Sequence, residues 1–144
     1  MERNSKGTDP RPVIGIGVYI LTKDNKVLLG KRKNSHGKGE YAPPGGHLEF
    51  GESFEEAAKT EVSEETGLEI DNVELFYVDN NLRYIESDNK HYVTISFKTT
   101  HLGGKPKVLE PLKCESWNWY SLDDLPSPLA EFAERALGNL KSKL

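Results

Sequence analysis

The acidic side chains of this chain are concentrated in one segment. Residues 45–68 carry seven glutamates and one lysine, a net charge of −6, and because the whole 144-residue chain has −4, the remainder has +2. A general nucleic-acid-binding surface needs a basic stripe, so this distribution argues against one. Clustered carboxylates supply the oxygen ligands that hard divalent cations such as Mg²⁺ or Mn²⁺ prefer. The segment therefore suggests a cation site.

A helix over this segment would place two glutamates on its apolar face. At about 100° per residue, Glu61 and Glu65 share one stripe with Phe54 and Ala58. Glu61 has no basic side chain three or four residues away, and like charges at this spacing cost roughly 0.2–0.5 kcal/mol per pair. A bound cation would offset that repulsion. From helical spacing alone, an acidic face turned to solvent explains the pattern equally well.

The glycine turn that precedes the helix favours the cation. Gly45 and Gly46 let the backbone approach a ligand closely and offer it a carbonyl oxygen. Glu49 and Glu52 extend the acidic cluster on the same side of the helix start. Neither feature is strong evidence alone, but together they favour metal binding.

The elements that position these residues follow from apolar runs and turn signals. Ser53 and Glu56 form a capping-box pattern that begins the acidic helix, and Gly67 supplies a left-handed stop. The order of elements predicts an α+β fold or a mixed sheet with helices packed against it. The predicted bounds are strands over Val13–Leu21 and Lys26–Arg32, an irregular loop region through residues 37–46, strands over residues 73–79, 91–99 and 116–120, and a second helix over residues 129–141, with Ser127 as its cap and Pro128 in its first turn.

Length and composition predict one globular domain, residues 1–144, with its core in about residues 12–140. The mean hydropathy is −0.64 and no apolar run approaches the roughly 20 residues that cross a bilayer. The polar segment Met1–Asp9 lacks the apolar stretch of a secretory signal, so a soluble, cytoplasmic protein is expected. The single cysteine, Cys114, excludes an internal disulfide and a cysteine-based zinc site.

The spacing of the acidic segment closely resembles the Nudix box, G-x5-E-x7-R-E-U-x-E-E-x-G-U, where U is a bulky aliphatic residue. Gly46, Glu52 and the run from Thr60 to Leu68 meet eight of its nine fixed positions. The surrounding segments resemble a MutT-like branch of small Nudix hydrolases that act on nucleoside triphosphates, including thiopurine nucleotides. These segments are Gly30–Lys33, Pro44–Glu52, His91–Thr94 and Cys114–Trp117.

The resemblance implies a mixed β-sheet sandwiched between α-helices and a Mg²⁺-dependent hydrolysis of a nucleoside diphosphate linked to another group. It implies that the Gly45 carbonyl, Glu61 and Glu65 bind Mg²⁺, for which Mn²⁺ can substitute, and that Glu61 and Glu64 act in catalysis. A nucleoside triphosphate would yield a monophosphate and pyrophosphate. The expected partner is a small nucleotide, with no nucleic-acid polymer and no membrane, and relatives commonly form homodimers.

Several further residues are candidates for the site. Arg32 suits a phosphate because its guanidinium can grip an oxyanion through two donors, although a solubilising strand end is the alternative. Late-loop acids of relatives favour Glu110 over Glu115 as an additional metal ligand. Candidates for contact with the substrate are Gly46, His47, Thr94 and Phe132, of which His47 also suits packing beside the glycine turn and Phe132 suits the core equally well.

Two departures from the family pattern leave alternatives open. Thr60 stands where the box has arginine, and Lys59 points about 100° away, so a catalytically weak, nucleotide-binding regulatory domain is one alternative. ADP-ribose or a dinucleotide is the alternative substrate. No proline lies between Leu68 and Pro106, where many ADP-ribose hydrolases carry one, and this makes that substrate less favoured.

Overall fold

The computed structural model describes residues 11–33 and 37–144, so the polar segment Met1–Asp9 lies outside the described residues. The described residues form seven strands and three helices. They are β1 (Val13–Leu21), β2 (Lys26–Arg32), β3 (Tyr41–Ala42), β4 (Gly45–His47), α1 (Phe54–Thr66), β5 (Glu74–Asn81), α2 (Ile85–Asp88), β6 (Tyr92–Thr100), β7 (Cys114–Ser121) and α3 (Glu131–Ser142).

The strands form one mixed sheet organised around β1. β1 pairs in parallel with β6 over its whole length, from Val13 opposite Tyr92 to Leu21 opposite Thr100. It pairs antiparallel with β4 and, at one end, with β2. β5 continues the sheet beyond β6, while β3 and β7 pair with β2. The predicted α+β fold with a mixed sheet is confirmed.

Each face of the sheet is covered by a helix. Because strand side chains alternate between faces, Val18 and Ile20 of β1 pack with Val62 of α1, whereas Tyr19 packs with Leu137 of α3. All five side chains are fully buried, and burial of each aliphatic one contributes roughly 1.5–3 kcal/mol. This arrangement is the predicted sandwich.

Local signals set both ends of α1 as the sequence predicts. The Ser53 hydroxyl accepts a hydrogen bond from the Glu56 amide at 3.1 Å, and the Glu56 carboxylate accepts one from the Ser53 amide at 3.0 Å. At the other end Gly67 adopts a left-handed conformation with φ 75°. Both ends fix which side chains α1 turns toward the sheet, and so where its glutamates lie.

The prediction for the start of the second helix was wrong. α3 begins at Glu131, with Ala130 as its N-cap, and Ser127 and Pro128 lie in a bend before it. Tyr41 of β3 holds that segment in place. Its amide donates to the Pro128 carbonyl at 2.9 Å, and its carbonyl accepts from the Ala130 amide at 2.9 Å. These two hydrogen bonds hold the backbone of residues 128–130 against β3, so the first turn of α3 begins only after them.

Other differences also come from pairing between distant segments. The region predicted as an irregular loop contains β3 and β4, because their backbones pair with β2 and β1. β5 runs from residue 74 to 81, two residues beyond its predicted end, and β7 begins at Cys114, two residues before its predicted start. The short helix α2 was not predicted from the sequence.

Within residues 11–33 and 37–144, none of the helices has both the length and the apolar character needed to cross a bilayer.

Candidate active site

A cleft of about 490 Å³ opens between the glycine turn, α1, α3 and the strands β1 and β6. Eight of the ten predicted site residues line it, although they come from five different elements. These eight are Arg32, Gly45, Gly46, His47, Glu61, Glu65, Thr94 and Phe132. The structure therefore brings most of the candidate set into one space, while Glu64 and Glu110 lie outside the lining.

Close approach of backbone and side chains explains both glycines of the turn. A Cβ built on Gly45 would overlap the carbonyl oxygen of Ile16, because β4 lies tightly against β1. A Cβ built on Gly46 would overlap the carboxylate of Glu61. The Gly45 amide donates a hydrogen bond to Oε2 of Glu65 at 2.9 Å. The turn thus holds both carboxylates at the mouth of the cleft.

The two carboxylates strain each other electrostatically. Burial raises the pKa of Glu61, and the neighbouring charges of Glu64 and Glu110 add to that effect. Burial likewise raises the pKa of Glu65, to about 8, although the hydrogen bond from Gly45 opposes the change. The negative charge of Glu61 is a further cause of the raised pKa of Glu65. A cation bound between the two carboxylates would offset that repulsion.

The donor set fits a hard divalent cation. It offers the carboxylate oxygens of Glu61 and Glu65 beside the backbone of Gly45, whose amide lies 2.9 Å from Oε2 of Glu65. Among the described residues no three acidic, histidine or cysteine side chains converge into a ready cage. Mg²⁺ does not require such a cage, because it usually keeps several waters and binds through one or two carboxylates together with substrate phosphates.

The remaining two predicted acids flank the pair. Glu64 is exposed on α1, and its charge acts on Glu61. Glu110 lies in the loop before β7, with its carboxylate 3.8 Å from Nζ of Lys113, and its charge acts on both Glu61 and Glu65. Glu115, by contrast, pairs with Lys31 at 3.8 Å. The geometry favours Glu110 over Glu115, and a ligand role for Glu110 stays a prediction.

The other end of the cleft is aromatic and carries a cation. The guanidinium carbon of Arg32 lies 5.9 Å from the ring centre of Phe132. Its Nε is buried without a hydrogen-bond partner among the described residues, so it remains available to an oxyanion. The His47 ring lies 5.7 Å from the Tyr92 ring, and the Tyr84 ring packs edge-on against Tyr92 at 6.5 Å. Such a wall suits the faces of a nucleobase.

Sequence reasoning did not single out several residues of this cleft. Asn81, Tyr84 and Lys113 line it, and so does Glu40, which pairs with Arg83 at 2.7 Å. Asn81 ends a strand and Tyr84 lies in a loop, and neither belongs to a spacing pattern that indicates a binding site. The only available signal for Lys113 was its place next to Cys114, in a segment that resembles the family.

The Thr60 side chain is exposed on α1, and the neighbouring Lys59 does not take the place of the box arginine. Lys59 is engaged elsewhere, because its Nζ lies 2.9 Å from the Glu55 carboxylate. Lys59 therefore does not supply the cation that the box arginine would provide.

Comparison with characterised proteins shows several relatives. The chain is 39% identical over 111 residues to an ADP-ribose pyrophosphatase of Methanocaldococcus jannaschii, an alignment that covers 74% of this chain and 61% of that protein. It is 30% identical over 110 residues to an oxidized purine nucleoside triphosphate hydrolase of Mus musculus, covering 76% of this chain and 67% of that one. The chain thus spans about three-fifths to two-thirds of the length of these relatives.

Solved structures share the fold. A MutT Nudix hydrolase from Burkholderia pseudomallei superimposes with a TM-score of 0.82 at 32% identity, covering 89% of this chain and 97% of that one. The Nudix domain of NrtR from Shewanella oneidensis, solved with ADP ribose, gives a TM-score of 0.79 at 19% identity, with 99% and 94% covered. The second likeness shows the fold alone.

A comparison with protein families matches the Nudix domain to residues 11–140, which include the whole sheet, α1, α2, most of α3 and the residues that line the cleft. The box-like spacing, the sandwich fold and the MutT-like neighbours agree with that match. The chain belongs to the Nudix family.

Proposed function

We propose that this chain is a Mg²⁺-dependent hydrolase that cleaves a (deoxy)nucleoside triphosphate into a monophosphate and pyrophosphate. One observation carries the proposal: the carboxylates of Glu61 and Glu65 line the same cleft as Arg32 and the rings of Tyr92 and Phe132. The cleft therefore offers a separate feature for each part of a metal-bound nucleotide: carboxylates for the cation, a guanidinium for the phosphates and rings for the base.

Each residue of the cleft has a proposed part in the reaction. Glu61, Glu65 and the Gly45 carbonyl hold Mg²⁺, with Glu110 beside them. When bound, this ion would neutralise phosphate oxygens and lower the pKa of water. Arg32 and the exposed Lys113 add positive charge near the phosphates.

The proton of the attacking water goes to a glutamate. Glu61, a member of the metal-binding pair, and its neighbour Glu64 are the proposed acceptors, because both lie on α1 and the charge of Glu64 acts on Glu61. Water oxygen attacks phosphorus, the bond to the bridging oxygen breaks, and pyrophosphate leaves with the electron pair of that bond. Gly46, His47, Thr94 and Phe132 position the nucleotide.

A second candidate substrate is ADP-ribose. It is favoured by the 39% identity to a protein named ADP-ribose pyrophosphatase. The same cleft would break the same type of bond, and the products would be AMP and ribose 5-phosphate. Product analysis therefore separates the two substrates directly.

A panel of nucleotides with Mg²⁺ tests the proposal, with the products resolved by chromatography. We expect release of pyrophosphate from at least one triphosphate and its loss in Glu61→Gln and Glu65→Gln variants. Glu69→Gln is the matched control, since this exposed acid follows the helix and lies outside the cleft. Tight binding of nucleotides without release of any product would instead support a regulatory domain, the alternative that Thr60 suggests. Homodimerisation is a further prediction, which sedimentation of the same samples measures.

A further inference from the structure

A chain of hydrogen bonds runs from the surface of α3 through the sheet to the cleft. Nη1 of Arg135 lies 2.9 Å from Oδ1 of Asp79, and Nδ2 of Asn81 donates to Oδ2 of the same carboxylate at 3.2 Å. The hydroxyl of Thr94 donates to Oδ1 of Asn81 at 2.6 Å. The Asp79, Asn81 and Thr94 residues are only 3–4% exposed. We call these three residues the relay.

The direction of the relay is fixed by its first member. The Asp79 carboxylate, paired with Arg135, only accepts hydrogen bonds, so Asn81 must turn its amide nitrogen toward it. The Asn81 oxygen then faces Thr94 and requires a donor there. The single hydroxyl hydrogen of Thr94 is thereby used. What Thr94 retains for any other partner is the lone pairs of its oxygen.

That oxygen is accessible from the cleft. Thr94 and Asn81 both line the cleft, together with Gly15, which lies directly opposite Thr94 in the pairing of β1 with β6. A Cβ built on Gly15 would lie 3.6 Å from Oγ1 of Thr94. Glycine at this position therefore leaves open the space through which a ligand reaches the hydroxyl. Phe132 and Tyr92 line the same cleft and suit the faces of a base.

We propose that the relay selects nucleotides whose base presents an N–H donor to Thr94, with Asp79 and Asn81 as positioning residues. The inference rests on the proposed function and adds its base preference. A base without such a donor leaves the buried Thr94 oxygen unsatisfied. For one neutral hydrogen bond we expect discrimination of roughly 10–100-fold in kcat/KM.

Matched substrates test the relay. Guanine, hypoxanthine and adenine deoxynucleoside triphosphates each carry an N–H group on the pairing edge of the base, whereas the unsubstituted purine analogue carries none. We expect the wild type to prefer the best of the three over the unsubstituted purine by roughly 10–100-fold. In the Thr94→Val variant the ratio should fall to about 1, and Thr94→Ser should restore it.

The positioning residues have their own readout. Asn81→Ala frees the Thr94 hydroxyl to rotate, and Asp79→Asn lets the amide of Asn81 face either way, so both variants should lower the ratio between substrates. A merely structural role would lower all rates together and leave the ratio unchanged. Thr99→Val is the matched control, because Thr99 lies on the same strand but donates to the Asn72 carbonyl at 2.8 Å, away from the cleft.

The outcomes separate this inference from the proposed function. Equal hydrolysis of all four triphosphates by the wild type, or full discrimination in an active Thr94→Val variant, would overturn the relay. If Thr94→Val does not fold, the Asn81→Ala and Asp79→Asn ratios decide. Selective binding of the N–H-bearing bases in calorimetry, with no hydrolysis of any of them, would refute the proposed function and support the relay. If the protein neither binds nor hydrolyses any of the nucleotides, both the proposed function and the relay are refuted.

Discussion

Replacing Glu65 with glutamine should stabilise the metal-free protein at alkaline pH while abolishing activity. The Glu65 carboxyl has its pKa raised by burial from 4.5 to about 8. Below pH 4.5 it is protonated in both the folded and the unfolded state and has no effect on stability. As pH rises toward 8 the unfolded chain loses this proton first, so the free energy of unfolding falls. Above about pH 8 the full penalty of a buried negative charge is present.

The magnitude follows from the difference between the two pKa values. A shift from 4.5 to about 8, at about 1.4 kcal/mol per pH unit, amounts to at most about 5 kcal/mol. In a domain of this size that corresponds to roughly 10–20 °C in Tm. Glutamine keeps the shape and can still accept the hydrogen bond that the Gly45 amide donates. It carries no charge, so the penalty disappears.

Thermal unfolding in a chelator at pH 5 and pH 9 measures this effect. We expect the Glu65→Gln variant to lie within about 1 kcal/mol of the wild type at pH 5 and to exceed it by more at pH 9, where Mg²⁺ in place of the chelator should raise the Tm of the wild type only. Glu69→Gln, an exposed acid, controls for the loss of one charge. If the difference between the variant and the wild type is the same at both pH values, the electrostatic reasoning is wrong.

Three further predictions concern the same helix and turn. Thr60→Arg should raise turnover at saturating Mg²⁺ by placing a cation near the glutamates, and unchanged or lower turnover would show that another group already does this. Gly46→Ala should keep the fold but lower kcat roughly 100-fold, because its Cβ displaces the Glu61 carboxylate; Gly138→Ala, in open space on α3, should leave steady-state rates unchanged. Ser53→Ala removes the 3.1 Å capping bond and should cost about 1 kcal/mol in chemical denaturation, while an unchanged midpoint would contradict the cap's role.

Elements governed by neighbouring residues were predicted well. The bounds of β1 and β2 and both ends of α1 agree with the structure, because a capping box and a left-handed glycine act within one helical turn. The start of α3 was not predictable in this way. It depends on Tyr41, which lies almost ninety residues earlier and binds the backbone on both sides of Leu129.

The candidate site likewise has one part that local sequence predicts and another part that it does not. The spacing of the box-like segment, which includes Gly46, Glu61 and Glu65, was enough to indicate the family, and it predicts a cation site because these residues lie within one turn-and-helix unit. The relay could not be seen in the sequence. It joins Asp79 to Arg135, 56 residues further along the chain, and only the pairing of β5 with β6 brings Asn81 to Thr94.

The sequence by itself determined which carboxylates lie together beside the glycine turn, because residues at helical spacing have a fixed geometry relative to one another. The tertiary structure decided what lies opposite them: that Phe132 lines the cleft beneath Arg32, and that the Thr94 hydroxyl is oriented by a distant carboxylate. Those contacts depend on how a sheet and two helices pack, and packing is set by the whole core rather than by local spacing.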